Sequence, residues 1–350
     1  MLIKNIVKIG LLTFSTLLLS ANTFGQDKKY QVTCVGFYNL ENLFDIYDDP
    51  KIRDEEYTPE GTNNWTEKRY QHKLENLSKV IEDMGTEVTP DGCAVIGVAE
   101  VENKKVLEDL VATEKLKKRD YKIIHFDSPD RRGIDVGLLY QEKYFKVTNS
   151  INYKLTFPDD TAYYTRDQLL VSGVLAGEDV NILVAHWPSR RGGEQKSEPR
   201  RVQAAQLGRK IIDSLYAANP KAKIMYMGDL NDDPVNRSIE EYIQAKGKIS
   251  KVKKRQFFNP MYELYKKGNG TLAWNDAWNL FDQIVVSKSF LNGVDYSKLS
   301  YYKVRVYRKP YLFQTEGRYK GYPFRTRAGG QYMGGYSDHL PVYVVLIKEA

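Results

Sequence analysis

Cysteine, histidine and long apolar runs are scarce in this sequence. Its 350 residues include only two Cys and four His, which excludes a disulfide-bonded scaffold and a zinc module rich in Cys. Beyond residue 25 no apolar run is long enough to cross a bilayer. Because there is also no internal repeat and no linker rich in Pro, Gly and Ser, we expect a single domain over residues 26–350. We expect it to be a monomer without a stable protein partner.

The composition is that of a globular protein with a basic surplus. Hydrophobic residues make up 42% of the chain and charged residues 28%, which is typical of folded chains. The formal charge is +7, and a positive charge favours association with polyanions without determining the fold. Tyr is frequent, at 26 residues, as is common in β-structure.

The N-terminus has the pattern of a secretory signal. Lys4 and Lys8 precede an apolar stretch over 9–19, and Thr23 and Gly25 supply small residues before Gln26. This pattern predicts a signal peptide over 1–25 and export to the periplasm or the extracellular space. The alternative is an N-terminal membrane anchor, for which the apolar stretch is short.

Short apolar runs separated by turn residues predict eleven strands, and a helical period predicts three helices. The strands are expected over 31–38, 93–101, 121–126, 134–140, 145–155, 168–175, 180–186, 224–228, 283–287, 301–307 and 340–347. The helices are expected over 65–84, 197–216 and 235–245, with Ser197 capping the second helix and Pro199 in its first turn. This mixture predicts an α/β domain of two packed sheets flanked by helices.

Six of the predicted strands carry polar residues at one end. Charged groups at the rim of a sheet can converge on one cleft without burying an unpaired charge. Taken singly, each has a simpler explanation, since a strand-end Asn or Asp commonly forms a turn or caps a helix. The repetition at several strands is what indicates a functional site. The residues are Asn39, Glu41, Glu100, His186, Asp229, Asn231, Asp282, Ser337, Asp338 and His339.

In this order, these residues resemble the endonuclease/exonuclease/phosphatase superfamily. The resemblance rests on Asn-Leu-Glu at 39–41, Gly-Asp-Leu-Asn at 228–231 and Ser-Asp-His at 337–339, and it extends over residues 31–348. It implies a four-layer α/β/β/α sandwich of two mixed sheets flanked by helices. It also implies metal-assisted hydrolysis of a phosphodiester.

By this resemblance, Glu100 is the principal metal ligand. Glu41 and Asp338 are expected to assist it, with Asn39 beside both the metal and the substrate phosphate. Carboxylate and amide oxygens are hard ligands that suit Mg²⁺, for which Mn²⁺ can substitute.

The same resemblance implies the catalytic groups. Asp229 is expected to orient or deprotonate the attacking water, and Asn231 to hold the phosphate. His339, tuned by Asp282, is expected to contact the scissile phosphate or to act as a base. His186 is expected to stabilise the developing charge or to protonate the leaving oxygen. A His paired with a carboxylate suits proton transfer near neutral pH.

Several arginines in loops beside the predicted strands are candidates for phosphate binding. They are Arg132, Arg166 and Arg190, and for each of them a solvated basic loop is the alternative. Arg200 and Arg201 open the second predicted helix, and one of them is expected to turn into the site.

The segment 295–336 combines aromatic residues with positive charge. It contains nine Tyr and nine Lys or Arg against two acids, and aromatic faces between cations can stack bases and follow phosphates. It also resembles an insertion, being longer than the usual connection in the family. The alternative is a β-hairpin flap whose tyrosines pack on the domain while its cations are solvated.

The leading functional hypothesis is a secreted, Mg²⁺-dependent nuclease that hydrolyses DNA or RNA. A sphingomyelinase-like or inositol-phosphate enzyme is the first alternative. An inactive nucleic-acid-binding or glycan-binding module is the second, although binding alone would not need this set of carboxylates and histidines. By resemblance, His186 favours deoxyribonuclease-like and sphingomyelinase-like members over abasic-site endonucleases, which have Asn at that place.

The two cysteines precede polar strand ends by odd numbers of residues. Cys34 lies five residues before Asn39, and Cys93 lies seven before Glu100, so both thiols are expected on the strand faces opposite those side chains. Adjacent strands could bring them together, and export would permit a disulfide. We expect two buried free thiols, with the disulfide as the alternative.

Overall fold

The computed structural model describes residues 28–350, so the predicted signal peptide over 1–25 lies outside the described residues. The helices are α1 (Glu67–Asp83), α2 (Lys104–Ala112), α3 (Glu194–Ala218) and α4 (Met261–Lys266). The strands are β1 (Tyr30–Leu43), β2 (Val95–Val101), β3 (Tyr121–His125), β4 (Asp135–Gln141), β5 (Phe145–Tyr153), β6 (Gln168–Leu175), β7 (Glu178–His186), β8 (Lys223–Asp229), β9 (Ala245–Lys246), β10 (Phe257–Phe258), β11 (Leu272–Trp274), β12 (Ala277–Asn279), β13 (Asp282–Ser287), β14 (Ser300–Val306), β15 (Arg327–Ala328), β16 (Gln331–Tyr332) and β17 (Val342–Glu349).

Most of these strands belong to two large mixed sheets. The first sheet has six strands in the order β14-β17-β1-β2-β4-β3, and the second has seven in the order β5-β6-β7-β8-β13-β10-β9. The pairs β1–β2, β7–β8 and β9–β10 are parallel, and the other neighbours are antiparallel. Two short hairpins, β11–β12 and β15–β16, form separate two-stranded sheets.

The sheets pack face to face, with helices on both outer sides. Along β1, Val35 and Phe37 point into the core between the sheets, whereas Cys34 and Tyr38 point into an outer core shared with α1 and α2. Both faces of this strand are buried, which explains its nearly continuous apolar run. On the other side, α3 packs around Tyr226 of the second sheet. The predicted four-layer α/β/β/α sandwich is therefore confirmed.

All eleven predicted strands are present, although several differ from the prediction at their ends. The helix expected over 235–245 is a single π-helical turn, Ser238–Ile243. The sequence analysis missed α2, α4 and six strands of two or three residues, because elements this short carry little periodicity. None of the helices in residues 28–350 has the length and apolar character needed to span a bilayer.

Helix α3 begins one turn earlier than predicted. Gly193 is its N-cap and Pro199 lies inside it, so the expected capping by Ser197 was wrong. Instead, the Ser197 hydroxyl donates back to the carbonyl of Gly193 at 2.7 Å. The added turn is held by Arg201, whose guanidinium donates to the carbonyl of Glu194 at 3.0 Å.

The segment 295–336 starts as an edge strand and then folds back over the domain. Strand β14 pairs with β17 at the edge of the first sheet. Of the nine tyrosines, only Tyr302 and Tyr319 are among the exposed large hydrophobic residues. The expected row of exposed tyrosines for stacking bases is therefore not present in this segment. The packing agrees with the alternative, in which the tyrosines pack on the domain. Those that pack against the outer core near α1 are Tyr307, Tyr311, Tyr332 and Tyr336.

Cys34 and Cys93 are joined by a disulfide, so the expectation of free thiols was wrong. Their Cα atoms are 4.4 Å apart. Strands β1 and β2 are parallel neighbours with Val35 opposite Val95. Cys34 lies one residue before Val35, and Cys93 lies two residues before Val95. The register therefore brings the two cysteines close together, and both lie in the outer core.

Candidate active site

Three of the predicted site residues form one row across the second sheet. His186 ends β7 and Asp229 ends β8, and the two residues are paired in register. Asp282 begins β13 and lies opposite Asp229 on its other side. All three are buried. The register thus brings together residues that are as much as 96 positions apart in the chain.

A glycine permits the close approach of β7 and β8 beside this row. A Cβ at Gly228 would lie 1.9 Å from the carbonyl oxygen of Ala185, far inside van der Waals contact. A larger residue would therefore force β8 away from β7 where His186 and Asp229 meet. The glycine of the Gly-Asp-Leu-Asn motif is required by this backbone contact.

The first sheet supplies the facing residues. Asn39 Nδ2 donates to Asp229 Oδ2 at 3.1 Å and so connects the two sheets. Glu41 and Glu100 lie at the ends of β1 and β2 with φ angles of 48° and 60°, and Asn231 has a φ of 49°. Such angles are uncommon in residues with a side chain and persist only where the surroundings fix the backbone.

His339 is held by Asp282 and faces Asp229. The distance from His339 Nδ1 to Asp282 Oδ2 is 2.7 Å, and from His339 Nε2 to Asp229 Oδ2 it is 3.8 Å. Burial opposes protonation of the ring, but the charges of Asp282 and Asp229 outweigh it and raise the pKa of His339 well above its ordinary value. The imidazole is therefore a cation at neutral pH.

His186 lies between Glu100 and Asp229 and is neutral. Its Nε2 is 3.9 Å from Glu100 Oε1 and 3.5 Å from Asp229 Oδ2. Burial, reinforced by the positive charges of Arg166 and Arg132, holds the pKa of His186 well below its ordinary value. The pKa values of the two histidines on either side of Asp229 are thus shifted in opposite directions, so one ring is protonated and the other is neutral. Opposite pKa shifts of this kind separate acid from base roles.

Glu41 and Asp338 bring two further carboxylates to the same edge. Glu41 accepts the backbone N–H of Thr326 at 2.6 Å, and its Oε2 is 3.9 Å from the buried ammonium of Lys73. Asp338 pairs with Arg325 at 3.3 Å. Burial and the charge of Asp338 together raise the pKa of Glu41 to about 7.

This concentration of oxygen ligands fits a divalent cation. Burial likewise raises the pKa of Asp229 to about 7, against the opposing effect of His339. Carboxyl groups with raised pKa values are costly to ionise unless a counter-charge is present. Among the described residues, Glu100, His186 and Asp229 place potential ligand atoms within 4.8 Å of one another. Neither Glu41 nor Asp338 belongs to such a cluster in the described residues, so the ligand set Glu41, Glu100 and Asp338, with Asn39 beside it, stays a prediction.

Arg190 supports the loop that carries Asn231. Its Nε donates to the Asn231 carbonyl at 2.9 Å, and its terminal nitrogen lies 3.3 Å from Asp232 and 3.2 Å from Asp233. Arg201 is buried and donates to Asp232 at 2.6 Å, so it contacts the loop after Asn231 and none of the predicted site residues. Direct phosphate binding by Arg190 stays a prediction, because these contacts already hold its guanidinium.

The two other predicted arginines differ from each other in exposure. Arg166 is buried and donates to Asp130 at 3.2 Å and to the Trp187 carbonyl at 2.5 Å. Its placement is that of a residue that positions the loop after His186. Arg132 has a side chain that is 51% exposed. It lies close enough to His186 to affect that residue's charge, so a contact with substrate phosphate stays a prediction for Arg132.

Sequence reasoning missed several residues that support the site. Lys73 of α1 donates to Thr326 at 2.5 Å and to the Tyr336 carbonyl at 2.9 Å. Its position on the apolar face of the predicted helix, three residues after Tyr70, was a usable signal. Thr271, whose hydroxyl accepts the backbone N–H of Asp282 at 3.3 Å, gave no such signal.

Comparison with known proteins assigns the chain to a family. It matches the model of the Endonuclease/Exonuclease/phosphatase family over residues 34–348, and it therefore belongs to that family. Members of the family are metal-dependent hydrolases of phosphate esters, and the carboxylate and histidine clusters agree with this chemistry. Comparison with curated protein sequences finds no match.

Several solved structures share the fold at low sequence identity. A family protein from Bacteroides thetaiotaomicron is 16% identical with a TM-score of 0.54, covering 92% of this chain and 96% of its own. TDP2 from D. rerio, complexed with a single-strand DNA product, is 13% identical with a TM-score of 0.53 and coverages of 90% and 98%. A mannosyl-6-phosphatase from B. thetaiotaomicron is 16% identical with a TM-score of 0.52 and coverages of 90% and 99%.

The carboxyl groups predict how the effect of metal on stability depends on pH. Glu41 and Asp229 have pKa values of about 7 in the folded protein, above ordinary values of 4.5 and 3.8. A carboxyl group whose pKa is raised by folding stabilises the folded state at pH values below its ordinary pKa. This stabilisation is lost as the pH rises to about 7. We expect saturating MgCl₂ to raise the Tm by roughly 5 °C or more at about pH 8 and much less at about pH 5, where protons compete. Thermal denaturation with and without metal measures this, and equal shifts at both pH values would contradict it.

Proposed function

We propose that the protein is an exported phosphodiesterase that cleaves nucleic acid with Mg²⁺, for which Mn²⁺ substitutes. The observation that carries the proposal is the placement of His339 and His186 on either side of Asp229, opposite Glu100. Hydrolysis of a phosphodiester needs a base for the attacking water, positive charge at the phosphate and a group that assists the leaving oxygen. Each requirement has a candidate in this arrangement.

Asp229 is the base in this scheme. Its pKa of about 7 lets it exist as a carboxylate at neutral pH and still accept a proton effectively. The backbone N–H of Asn231 donates to Asp229 Oδ1 at 3.0 Å, and Asn39 donates to Oδ2. These two contacts fix the carboxylate so that it can orient a water molecule.

The histidines act on the phosphate and on the leaving group. His339, kept cationic by Asp282, donates a hydrogen bond to a phosphate oxygen as negative charge develops. His186 is neutral, so its ring N–H can donate a hydrogen bond to the leaving oxygen, which takes its proton from water. A divalent cation held by Glu41, Glu100 and Asp338 supplies further neutralisation of the phosphate charge when it is bound.

A nucleic-acid substrate is supported by charge around the site. A cavity of about 250 Å³ beside Glu41 and Asp338 is lined by Arg325 and Arg327. A substrate phosphate would compete with Asp338 for Arg325 and with the Asn63 and Gly330 carbonyls for Arg327. Arg132 supplies an exposed cation on another loop. Among the structural neighbours, TDP2 is complexed with a single-strand DNA product. The packed tyrosines of 295–336 do not add to this support.

Export is supported by the predicted signal peptide and by the disulfide. A bond between Cys34 and Cys93 is typical of a protein that resides in an oxidising compartment.

A substrate panel with and without a chelator tests the proposed function. We expect Mg²⁺-dependent cleavage of single- or double-stranded DNA or of RNA, and of a small aryl phosphodiester at a lower rate. EDTA should abolish each activity, and MgCl₂ or MnCl₂ should restore it, because the proposed ligands are oxygens.

The panel also includes mannose 6-phosphate, sphingomyelin and an inositol phosphate. Robust hydrolysis of one of these, with none of DNA or RNA, would overturn the nuclease proposal and leave metal-dependent phosphoester hydrolysis intact. Full activity after exhaustive chelation would contradict the role of the metal.

A further inference from the structure

The connection between β9 and β10 is strongly basic. Five of its ten residues, 247–256, are Lys or Arg and none is acidic. The connection lies at one edge of the second sheet, since β9 is its terminal strand and β10 the next. This concentration of charge lies outside the 295–336 segment and outside every motif of the active site.

Two cavities are lined by these cations. One, of about 690 Å³, is lined by Lys254 and Arg255 together with Lys221, Lys288 and Lys298. The other, of about 640 Å³, is lined by Lys248, Lys251 and Lys253. Both cavities take lining residues from the β9–β10 connection, Lys253 in one cavity and Lys254 in the other. We call the eight residues together the far basic surface.

The far basic surface forms no ion pair with the two acids that line its cavities, Glu178 and Glu240. None of its eight cations forms an ion pair with an acid anywhere in residues 28–350. Glu178, which lines the larger cavity, is already paired with Lys223 at 3.0 Å and with Lys348 at 3.5 Å. Unpaired charges of one sign repel one another, so an external polyanion would stabilise this arrangement.

Strand β13 separates the far basic surface from the candidate active site. Asp282 begins the strand in the active site, whereas Ser287 ends it and Lys288 follows in the far basic surface. A six-residue strand rises roughly 20 Å. None of these lysines can reach a phosphate that contacts Asp282, so their contribution is to binding rather than to bond cleavage.

We propose that the far basic surface is a second binding site for the phosphate backbone of a nucleic-acid strand, which it holds away from the point of cleavage. The proposal rests on the proposed nuclease function. The concave shape favours a flexible strand over a bilayer, because a flat membrane cannot enter two cavities. Tyr262, which lines the smaller cavity, offers an aromatic face beside the lysines, as sites for single strands commonly do.

The test compares binding with catalysis in the full chain. Binding of a labelled single strand of about 30 nucleotides is followed by fluorescence anisotropy in EDTA, so that cleavage does not interfere. We expect Lys254→Gln/Lys288→Gln to raise the dissociation constant at least about tenfold at low salt. We also expect it to lower the log–log salt slope by about 1.4, the value for two lost phosphate contacts. Its rate on the small aryl phosphodiester with MgCl₂ should stay within about twofold of the unmodified protein.

Lys118→Gln/Lys146→Gln is the matched control. It removes the same charge from two exposed lysines, and Lys146 lies on β5, at the opposite edge of the second sheet. Unchanged binding in the first variant, or an equal loss in both, would overturn the proposal. The proposal would also be overturned if the binding of anionic vesicles or inorganic phosphate depended on Lys254 and Lys288 while the binding of the strand did not. If the unmodified protein fails to cleave nucleic acid but strand binding still depends on these lysines, only the proposed nuclease function fails.

Discussion

Replacing His339 with Ala is expected to lower kcat at least about a hundredfold, the scale for losing a group that stabilises developing charge. His339 is bound by Asp282 at 2.7 Å and lies 3.8 Å from Asp229. Its loss removes the cation that would meet the phosphate and leaves Asp282 buried without its partner. The measurement is the initial rate on the best nucleic-acid substrate and on the aryl phosphodiester.

His125→Ala is a matched control for this change. His125 is also a buried histidine with a buried carboxylate partner, Asp135, at 3.1 Å, but it ends β3 at the edge of the first sheet. We expect it to retain a rate within a few-fold of the unmodified protein. Similar losses in both variants, or a near-normal rate in a folded His339→Ala, would show that the assigned role of His339 is wrong.

Asp282→Asn separates positioning from the chemistry of the histidine itself. The neutral amide can still hold the ring but no longer offsets the burial that opposes its protonation. The pKa of His339 should therefore fall, and the alkaline limb of the pH–rate profile should move to lower pH. A profile that keeps its shape while kcat falls would indicate that Asp282 has only a structural role.

The positions of the functional residues along the strands could be predicted, but their arrangement across the sheet could not. A polar residue that ends an apolar run is visible in the sequence, as at Asp229. The row of His186, Asp229 and Asp282 depends on the register of three strands. Register is fixed by pairing and by core packing across the whole sheet.

The supporting residues were partly visible in the sequence. Lys73 interrupts the apolar face of a predicted helix, which marks it as unusual. Its partner Thr326 is 253 residues away, and no local pattern identifies a contact of that range. The disulfide could not be predicted for the same reason. The alternation of side chains along a strand indicates the face on which Cys34 and Cys93 lie, but it does not indicate which strands are neighbours.

The tyrosines of 295–336 show why composition did not determine their role. Aromatic residues that alternate with cations are equally suited to an exposed stacking surface and to an edge that packs on its own domain. Tyr311 and Tyr336 lie near each other, with ring centroids 5.1 Å apart, and Lys79 lies 4.4 Å from the Tyr311 ring. Their cationic neighbour Lys79 comes from α1.

Glu100→Gln is expected to reduce kcat by about a hundredfold or more and to weaken the metal-induced rise in Tm. The amide keeps the size of the side chain and can still accept the backbone N–H of Asn42, which lies 3.0 Å from Glu100 Oε2. It loses the negative charge that a divalent cation requires. The left-handed backbone at Glu100 is unaffected by this change, so folding should be retained.

Glu102→Gln is the control that makes this prediction specific. Glu102 lies two residues further along the chain, is buried, and accepts the backbone N–H of Asp45 at 2.7 Å. Burial raises the pKa of Glu102 to about 8, so it is largely uncharged at neutral pH and an amide closely imitates it. We therefore expect Glu102→Gln to keep both its rate and its response to MgCl₂. Equal losses in the two variants would trace the effect to the strand end as a whole, whereas a loss confined to Glu100→Gln follows only if that carboxylate holds the metal.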